Sequence, residues 1–475
     1  MSLNSFPQPQ KTKIVATISD NKCDHDFIRG LIERGVNVFR INTAHQVPET
    51  TRVLVDNIRK VSNVVGILID TKGPEIRTLS SMEPLTVEEG QKVTFSDQPG
   101  RGAHVGVSYA GFVDQIPVGS RILIDDGEVA FHVEKRDGHK LVCRTENDGV
   151  IKKNKSLNIP GVHLNLPSLT EKDKAYIRFA QDHQIEFVAH SFVRNAKDIM
   201  DIKDLLDDQG HPVKIIAKIE NREGLNNIEE ILEEADGIMI ARGDLGIEIP
   251  AEEVPTIQKN LIRLCINKAK PVITATQMLH SMIDNPRPTR AEVSDVANAV
   301  HDGTDALMLS GETAYGEYPF EAVETMSRVA QAAENTRLPR DLGGVKGRSV
   351  RTFLAKTAIV ATDNLPLKAI IVHTYTGSTA RIVSSFRGTT PVYVTCHDLR
   401  VARELSLSYG LYPRIIELPD STDQLVAKSM ESLVKAKLVE LDDMVLVMAG
   451  SPPLRSNQSN LLEINTVANC LDMNR

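Results

Sequence analysis

Eight short runs of apolar, mostly β-branched residues recur along the chain, at 13–19, 36–42, 65–71, 186–192, 213–220, 237–244, 271–277 and 306–312. Most are separated by segments of helical periodicity. Strands that are apolar nearly throughout, rather than alternating, belong to a parallel sheet buried on both faces. Eight strand–helix units are the count of a (β/α)8 barrel; an open, doubly wound sheet is the competing architecture. The ends of the runs decide between them. Arg40 and Asn42, Asp70 and Thr71, Ser191, Lys218 and Glu220, Thr276 and Gln277, and Ser310 and Glu312 close six runs, and Asp244 follows another. In a closed barrel such residues converge on one mouth, where these folds place their chemistry. An open sheet would spread them along an edge. The pattern predicts the barrel.

One gap breaks the rhythm. Between Thr71 and Glu186 the chain is rich in valine and glycine, with β-type runs at 85–87, 92–95, 121–125 and 129–134. Turns such as Asp125-Asp126-Gly127 and Asp137-Gly138-His139 punctuate it. This predicts a small all-β domain, a β-barrel over 78–162, inserted after the third strand and placed to act as a lid. Barrel helices resume at Leu169-Thr170-Glu171-Lys172-Asp173, with Thr170 as N-cap and Asp173 at the capping-box position. The proline- and glycine-bearing stretch 338–344 marks a second boundary. Beyond it, runs at 369–374, 392–395, 415–417 and 444–449 alternate with helices. The expected units are a barrel over 1–77 and 163–340 that carries the candidate chemistry, the lid over 78–162, and a C-terminal α/β domain over 341–475.

Composition narrows the class. A net charge of −8 argues against a general nucleic-acid binder. Five scattered cysteines without a CxxC pair form neither a disulfide framework nor a zinc site, so a reduced, cytoplasmic setting is expected. No run approaches the ~20 apolar residues of a membrane span, and the first ten residues lack a signal-peptide core.

The chemistry concentrates in two runs. Lys218 and Glu220 lie on alternate residues of a strand and point the same way. Asp244 sits in a glycine-flanked turn, where backbone approaches a ligand closely. Glu220 and Asp244 at adjacent strand ends make a pair of ligands for a divalent ion; their bland reading is a salt bridge at the barrel top. All-oxygen ligation favours magnesium or manganese over zinc. Lys218 and that ion would bracket a phosphoryl group, whose transfer depends on positioning and charge neutralisation. Arg40 and Arg77 offer planar forks that match phosphate oxygens, although Arg77 reads equally well as a surface charge. In Asn285-Pro286-Arg287-Pro288-Thr289-Arg290-Ala291-Glu292, Thr289 reads as a helix cap and the arginines as structural or catalytic. The Thr276 hydroxyl is too weak an acid to donate a proton unaided, so it needs a water chain or a neighbouring acid, with Ser310 and Glu312 one strand away as a relay. In the C-terminal unit Thr374, Thr376, Gly377, Ser378 and Thr379 run from strand to turn to helix, which makes either an anion site or a simple cap. Arg455, on the expected opposing loop, could meet a second phosphate.

Taken together these stretches resemble the pyruvate kinase family, in order, from Lys13 to about Asn465. The matches lie at 69–78, 217–221, 241–250, Thr274-Ala275-Thr276-Gln277-Met278-Leu279, 287–298 and Met308-Leu309-Ser310-Gly311-Glu312-Thr313-Ala314. The resemblance implies transfer of the phosphoryl group of phosphoenolpyruvate to ADP, giving pyruvate and ATP, by a homotetramer with a catalytic barrel, a mobile lid and a C-terminal α/β regulatory domain. It implies that Glu220 and Asp244 hold magnesium, Lys218 stabilises the moving phosphoryl group and Arg40 grips it. Thr276 and the Gly243–Asp244 backbone would seat the carboxylate, with Thr276 near the carbon that is protonated. Asn42, His45, Arg77 and Lys155 would approach the nucleotide; Asn42, Asp70 and Thr71 would hold potassium; and the C-terminal loop would bind a phosphorylated effector. One departure stands out. The family usually carries Phe-Ser after the asparagine of this motif, whereas this chain reads Asn42-Thr43-Ala44-His45, losing a serine hydroxyl that ligates potassium. Yet Glu75 stands where potassium-dependent members carry glutamate. A magnesium-dependent lyase or aldolase on a pyruvate enolate competes, but would need neither Lys218 nor a nucleotide-covering domain. A catalytically silent metabolite sensor also competes, and intact Lys218, Glu220, Asp244 and Thr276 speak against it.

Overall fold

All eight runs are strands, and they close on themselves. The structure, a computed structural model, describes residues 10–79, 83–98, 103–206, 213–337, 349–418, 420–450 and 459–472. The strands are β1 (Lys13–Ile18), β2 (Val36–Asn42), β3 (Gly66–Asp70), β4 (Phe187–His190), β5 (Lys214–Ile219), β6 (Gly237–Ala241), β7 (Val272–Ala275) and β8 (Ala306–Leu309). They form a closed barrel in sequence order, with β8 pairing parallel to β1. Several stop short of the expected bounds because a helix starts at once. Arg242–Glu248 and Gly311–Ala314 are helical, so Asp244 stands in the first turn of a helix rather than in a loop.

Strand alternation explains both the core and the mouth. Val15, Val38, Leu68, Ala189, Ile216 and Met308 lie in one buried cluster inside the barrel. Two residues further along the same strands, hence on the same face, come Thr17, Arg40, Asp70 and Lys218, with Ser191 and Ser310 just past the ends of β4 and β8. A polar layer therefore caps an apolar one. At the opposite end, Leu407 joins the interior cluster from a segment just beyond the helix Leu399–Leu405. The floor is pinned there: Arg387 Nη2 lies 2.6 Å from Asp305 Oδ2, Arg403 Nη1 lies 3.4 Å from Glu186 Oε1, and Lys13 Nζ donates to the Leu411 carbonyl at 2.8 Å.

The segment between β3 and the helix Glu171–Asp182 is all-β apart from a single helical turn, Phe112–Gln115. Its strands make one seven-stranded sheet and a separate ladder between Leu85–Val87 and Gly149–Ile151. The two edges of the larger sheet are joined by an antiparallel bridge between Thr78 and Val107, with Leu79 N donating to the Gly106 carbonyl and Ser108 N to the Arg77 carbonyl, both at 2.9 Å. Ile76–Arg77 already pairs antiparallel with Ser156 and Leu157, so the strands entering and leaving the insert are zipped together. The helix Glu171–Asp182 opens with the expected capping box of Thr170 and Asp173. Asp173 Oδ1 also accepts from the Lys72 and Gly73 amides, at 3.0 and 3.3 Å, tying the loop after β3 to the helix that follows the insert. Gly73 has φ +70, and a Cβ there would come within 2.9 Å of Phe192 and Ser191, so only glycine fits.

The C-terminal sheet runs Leu411–Ile415, Val392–Cys396, Leu367–His373, Met444–Gly450 and Ser459–Thr466, the last strand antiparallel. The strand expected at 415–417 lies at Leu411–Ile415. Pro413 argues against a strand there, but this is a sheet edge, where a missing N–H is tolerated. Among the described residues no helix is long and apolar enough to cross a membrane.

Candidate active site

The polar layer at the mouth is a connected network. Lys218 Nζ donates to Ser191 Oγ at 2.7 Å and lies 2.9 Å from Glu220 Oε1 and 3.2 Å from Asp70 Oδ1. Burial by itself disfavours its charge, but Asp70, Glu220 and Asp244 outweigh that and push its pKa above the usual lysine range. Arg40 Nε donates to Asp70 Oδ2 at 2.7 Å, and Arg40 Nη1 to Thr17 Oγ1 at 3.0 Å. Burial works against the Asp70 carboxylate, yet Lys218 and Arg40 hold its pKa below the ordinary range. The site therefore keeps two fixed cations at the mouth, oriented by one buried anion.

Glu220 and Asp244 behave differently. Burial pushes both carboxyls up, against the pull of Lys218, and the two share a hydrogen bond. Phe192 N donates to Glu220 Oε2 at 2.6 Å. Asp126, from a turn of the insert, and Glu75 push Asp244 further in the same direction. A divalent cation would relieve the crowding of buried negative charge at these two carboxyls. No cluster of three or more metal-ligating side chains exists among the described residues. The pair thus suits a cation that takes one or two carboxylates and completes its shell with water and substrate oxygens, as magnesium does.

Thr276 and Gln277 both have left-handed backbones, φ +68 and +54. For a β-branched residue this is a real outlier, costing of order 1–3 kcal/mol. The geometry puts Thr276 Oγ1 2.7 Å from Gly243 N, whose N–H it accepts, while its own hydrogen goes to the Ala275 carbonyl at 2.6 Å. The expected relay partner is engaged elsewhere. Glu312 is buried, with Oε1 accepting from Leu279 N at 3.2 Å and Oε2 from Ser310 N at 2.7 Å. Among the described residues no hydrogen bond joins Glu312 or Ser310 to the Thr276 hydroxyl. Glu312 braces the turns after β7 and β8 instead.

A cleft of about 920 Å³ runs between the mouth and the insert, bordered by Arg77, Asp126, Lys155, Asn221 and Asp244. Arg77 pairs with Glu75 at 2.7 Å and donates to the Asn154 carbonyl at 2.6 Å; Lys155 pairs with Asp125 at 2.7 Å. Asn42 does not border this cleft. It lies at the end of β2, opposite Asp70 in register, and its Oδ1 accepts from Ala44 N at 3.1 Å. The side chain of His45 lies outside the described residues. Thr71 Oγ1 accepts from Ser191 N at 3.1 Å, and Lys172 Nζ donates to the Ala44 carbonyl at 3.2 Å. Thr289 forms a full capping box with Glu292, which favours the structural reading of that segment.

In the C-terminal unit Gly377, at φ +80, precedes the helix Ser378–Ser385, and its N–H reaches Thr374 Oγ1 at 3.0 Å. Arg351 Nη1 donates to Ser378 Oγ at 3.0 Å, an arginine that the local motif could not point to because it comes from a distant helix. Thr376 is exposed and Thr379 buried. Arg455 lies outside the described residues.

The chain is similar to known proteins over most of its length. The family model described as pyruvate kinase, barrel domain, matches residues 9–323, and that described as pyruvate kinase, alpha/beta domain, matches 353–465. A pyruvate kinase of Borreliella burgdorferi is 47% identical over 97% of this chain and 98% of its own length. Pyruvate kinases of Geobacillus stearothermophilus and Sporosarcina psychrophila are each 43% identical over 97% of this chain and 81% of theirs.

Proposed function

The chain belongs to the pyruvate kinase family, and we propose that the Lys218–Asp70–Glu220–Asp244 cluster is where it works. The reaction moves the phosphoryl group of phosphoenolpyruvate to ADP, giving pyruvate and ATP. The observation that carries the assignment is the Lys218 ammonium, buried at the mouth and kept charged by carboxylates.

Arg40 and Lys218 hold the phosphoryl group between them. The bond from phosphorus to the enol oxygen breaks as a β-phosphate oxygen of ADP bonds phosphorus, and negative charge spread over the phosphoryl oxygens is met by both cations. The enolate left behind takes a proton at its methylene carbon. Thr276 spends its own hydrogen on Ala275, so its role is to orient, by its remaining lone pair, the water that delivers the proton. Glu220 and Asp244 would hold the divalent cation, magnesium or manganese, which supplies charge neutralisation and Lewis acidity at the phosphate oxygens. Asn42, Asp70 and Thr71 would hold potassium. Arg77 and Lys155, at the cleft under the insert, would receive the nucleotide, with the insert, taken as 78–162, as its lid.

The same reading makes the Thr374–Thr379 loop an effector site for a phosphorylated metabolite. Its support is the helix N-terminus beside Arg351. A homotetramer is part of the reading, supported by the exposed Val350 and Phe353 and by the open edge of Ser459–Thr466. A cytoplasmic setting is supported by five free cysteines. The test is direct: pyruvate should form from phosphoenolpyruvate only when ADP and magnesium are both present. Pyruvate formation without ADP would favour the lyase, and none at all the silent sensor.

A further inference from the structure

Two successive non-glycine residues in the left-handed region, Thr276 and Gln277, need something to hold them there. The group that does so is Arg242, which directly precedes the Gly243 amide that Thr276 accepts from. Its Nη1 and Nη2 make a bidentate pair with Asp295, 2.7 Å to each carboxylate oxygen. The same guanidinium donates through Nε to the Ala275 carbonyl at 3.3 Å and through Nη2 to the Thr276 carbonyl at 2.9 Å. With its side chain only 13% exposed, it has little competition from water. The fork thus spans from the end of β6 to the end of β7, and both carbonyls it grips flank the strained residue.

We propose that Arg242 is a positioning residue for Thr276: anchored on Asp295, it fixes the turn after β7 so that the Thr276 hydroxyl stays against the Gly243 N–H and keeps one lone pair free at the mouth. Released from that grip, a threonine relaxes to negative φ, which swings the hydroxyl off Gly243 and misplaces the water it orients. The proposal rests on the reading that Thr276 serves the protonated carbon. Phosphoryl transfer and protonation are separable here, because Arg242 makes no hydrogen bond to Lys218, Arg40 or Glu220 among the described residues. A lysine at 242 keeps a cation for Asp295 but loses the planar fork that reaches two carbonyls at once.

The test compares full-length Arg242→Lys, Asp295→Asn, Thr276→Val and the double variant Arg242→Lys/Thr276→Val, all with magnesium present. Three readouts are taken: melting temperature, kcat against KM for each substrate, and the exchange of pyruvate methyl protons with deuterium oxide, which reads proton transfer at carbon alone. Arg242→Lys should slow exchange by about tenfold or more with KM for ADP unchanged, and Asp295→Asn should do so to a smaller degree. The double variant should exchange within about twofold of Thr276→Val, because the arginine acts through the threonine. Wild-type exchange in both Arg242→Lys and Asp295→Asn would overturn the proposal, as would a double variant slowed by the product of the single effects. If Arg242→Lys fails to fold, Asp295→Asn carries the test. Wild-type exchange in Thr276→Val would instead remove Thr276 from the site, a failure of the underlying reading and not of the arginine's grip.

Discussion

Lys218 and Glu220, two residues apart on β5, bring an ammonium and a carboxylate to within 2.9 Å inside the barrel mouth. The strand's period of two puts both on the inner face, and the Asp70 carboxylate draws the ammonium inward from the other side. The pair is buried, so each charge depends on the other for compensation.

Replacing Lys218 by methionine therefore has two effects. Turnover should fall by roughly three orders of magnitude or more, because the lost charge acts where phosphoryl charge develops. Stability should fall by about 3 kcal/mol, since Asp70 and Glu220 lose their buried counter-ion. Steady-state kinetics and thermal melting check both. Turnover within about tenfold of the parent would dismiss the role given to Lys218.

Magnesium binding should depend on pH. The folded pKa values of Glu220 and Asp244 lie above their unfolded values. Their contribution to stability is thus full below the unfolded value and is lost as pH rises through the folded one. A cation competes with protons for these carboxylates, so the melting-temperature gain from magnesium should be larger at about pH 8 than at about pH 5.5. Glu220→Gln should flatten that difference. Equal gains at both pH values in the parent would contradict the paired-ligand reading.

Potassium should activate, but weakly. Ala44 offers no side-chain oxygen, and the Lys172 ammonium already sits on the Ala44 carbonyl. Glu75 is met by Arg77 at 2.7 Å and by Lys72 at 3.7 Å, which lessens the charge that a bound cation would offset. Lys172→Met should deepen the dependence on potassium. Activity that is the same in potassium and in tetramethylammonium, at matched ionic strength, would exclude the site.

The Thr374–Thr379 loop should respond to a phosphorylated ligand. A sugar phosphate or nucleoside monophosphate should lower the half-saturating phosphoenolpyruvate concentration, and Thr376→Glu should abolish the response by like-charge repulsion. By linkage, phosphoenolpyruvate should tighten effector binding by the same factor. Calorimetry against a panel of such metabolites that yields no heat, together with unchanged saturation curves, would leave the loop as a helix cap.

The barrel was legible because its strands are apolar on both faces, and the mouth because Arg40, Asp70, Ser191 and Lys218 continue the inward register of apolar positions. What stayed hidden depends on contacts distant in sequence. Nothing local marks Glu312 as a brace, because its partners Leu279 and Ser310 are assigned only once β7 and β8 are in place. The grip of Arg242 on the Thr276 turn needs Asp295, from a helix beyond β7. The strand Leu411–Ile415 was concealed by Pro413, whose missing donor matters only if the strand has neighbours on both sides.

Leu407 sets an order on the birth of the molecule. Every barrel strand has left the ribosome well before Leu407 is made, yet that leucine belongs to the barrel's interior. A nascent chain released after β8 carries an unstoppered apolar core, with Asp305 and Glu186 at its base still waiting for Arg387 and Arg403. Catalytic competence therefore arrives late in synthesis, when the C-terminal unit docks. A stop between β8 and Leu407 should produce an aggregating fragment, not a smaller working enzyme.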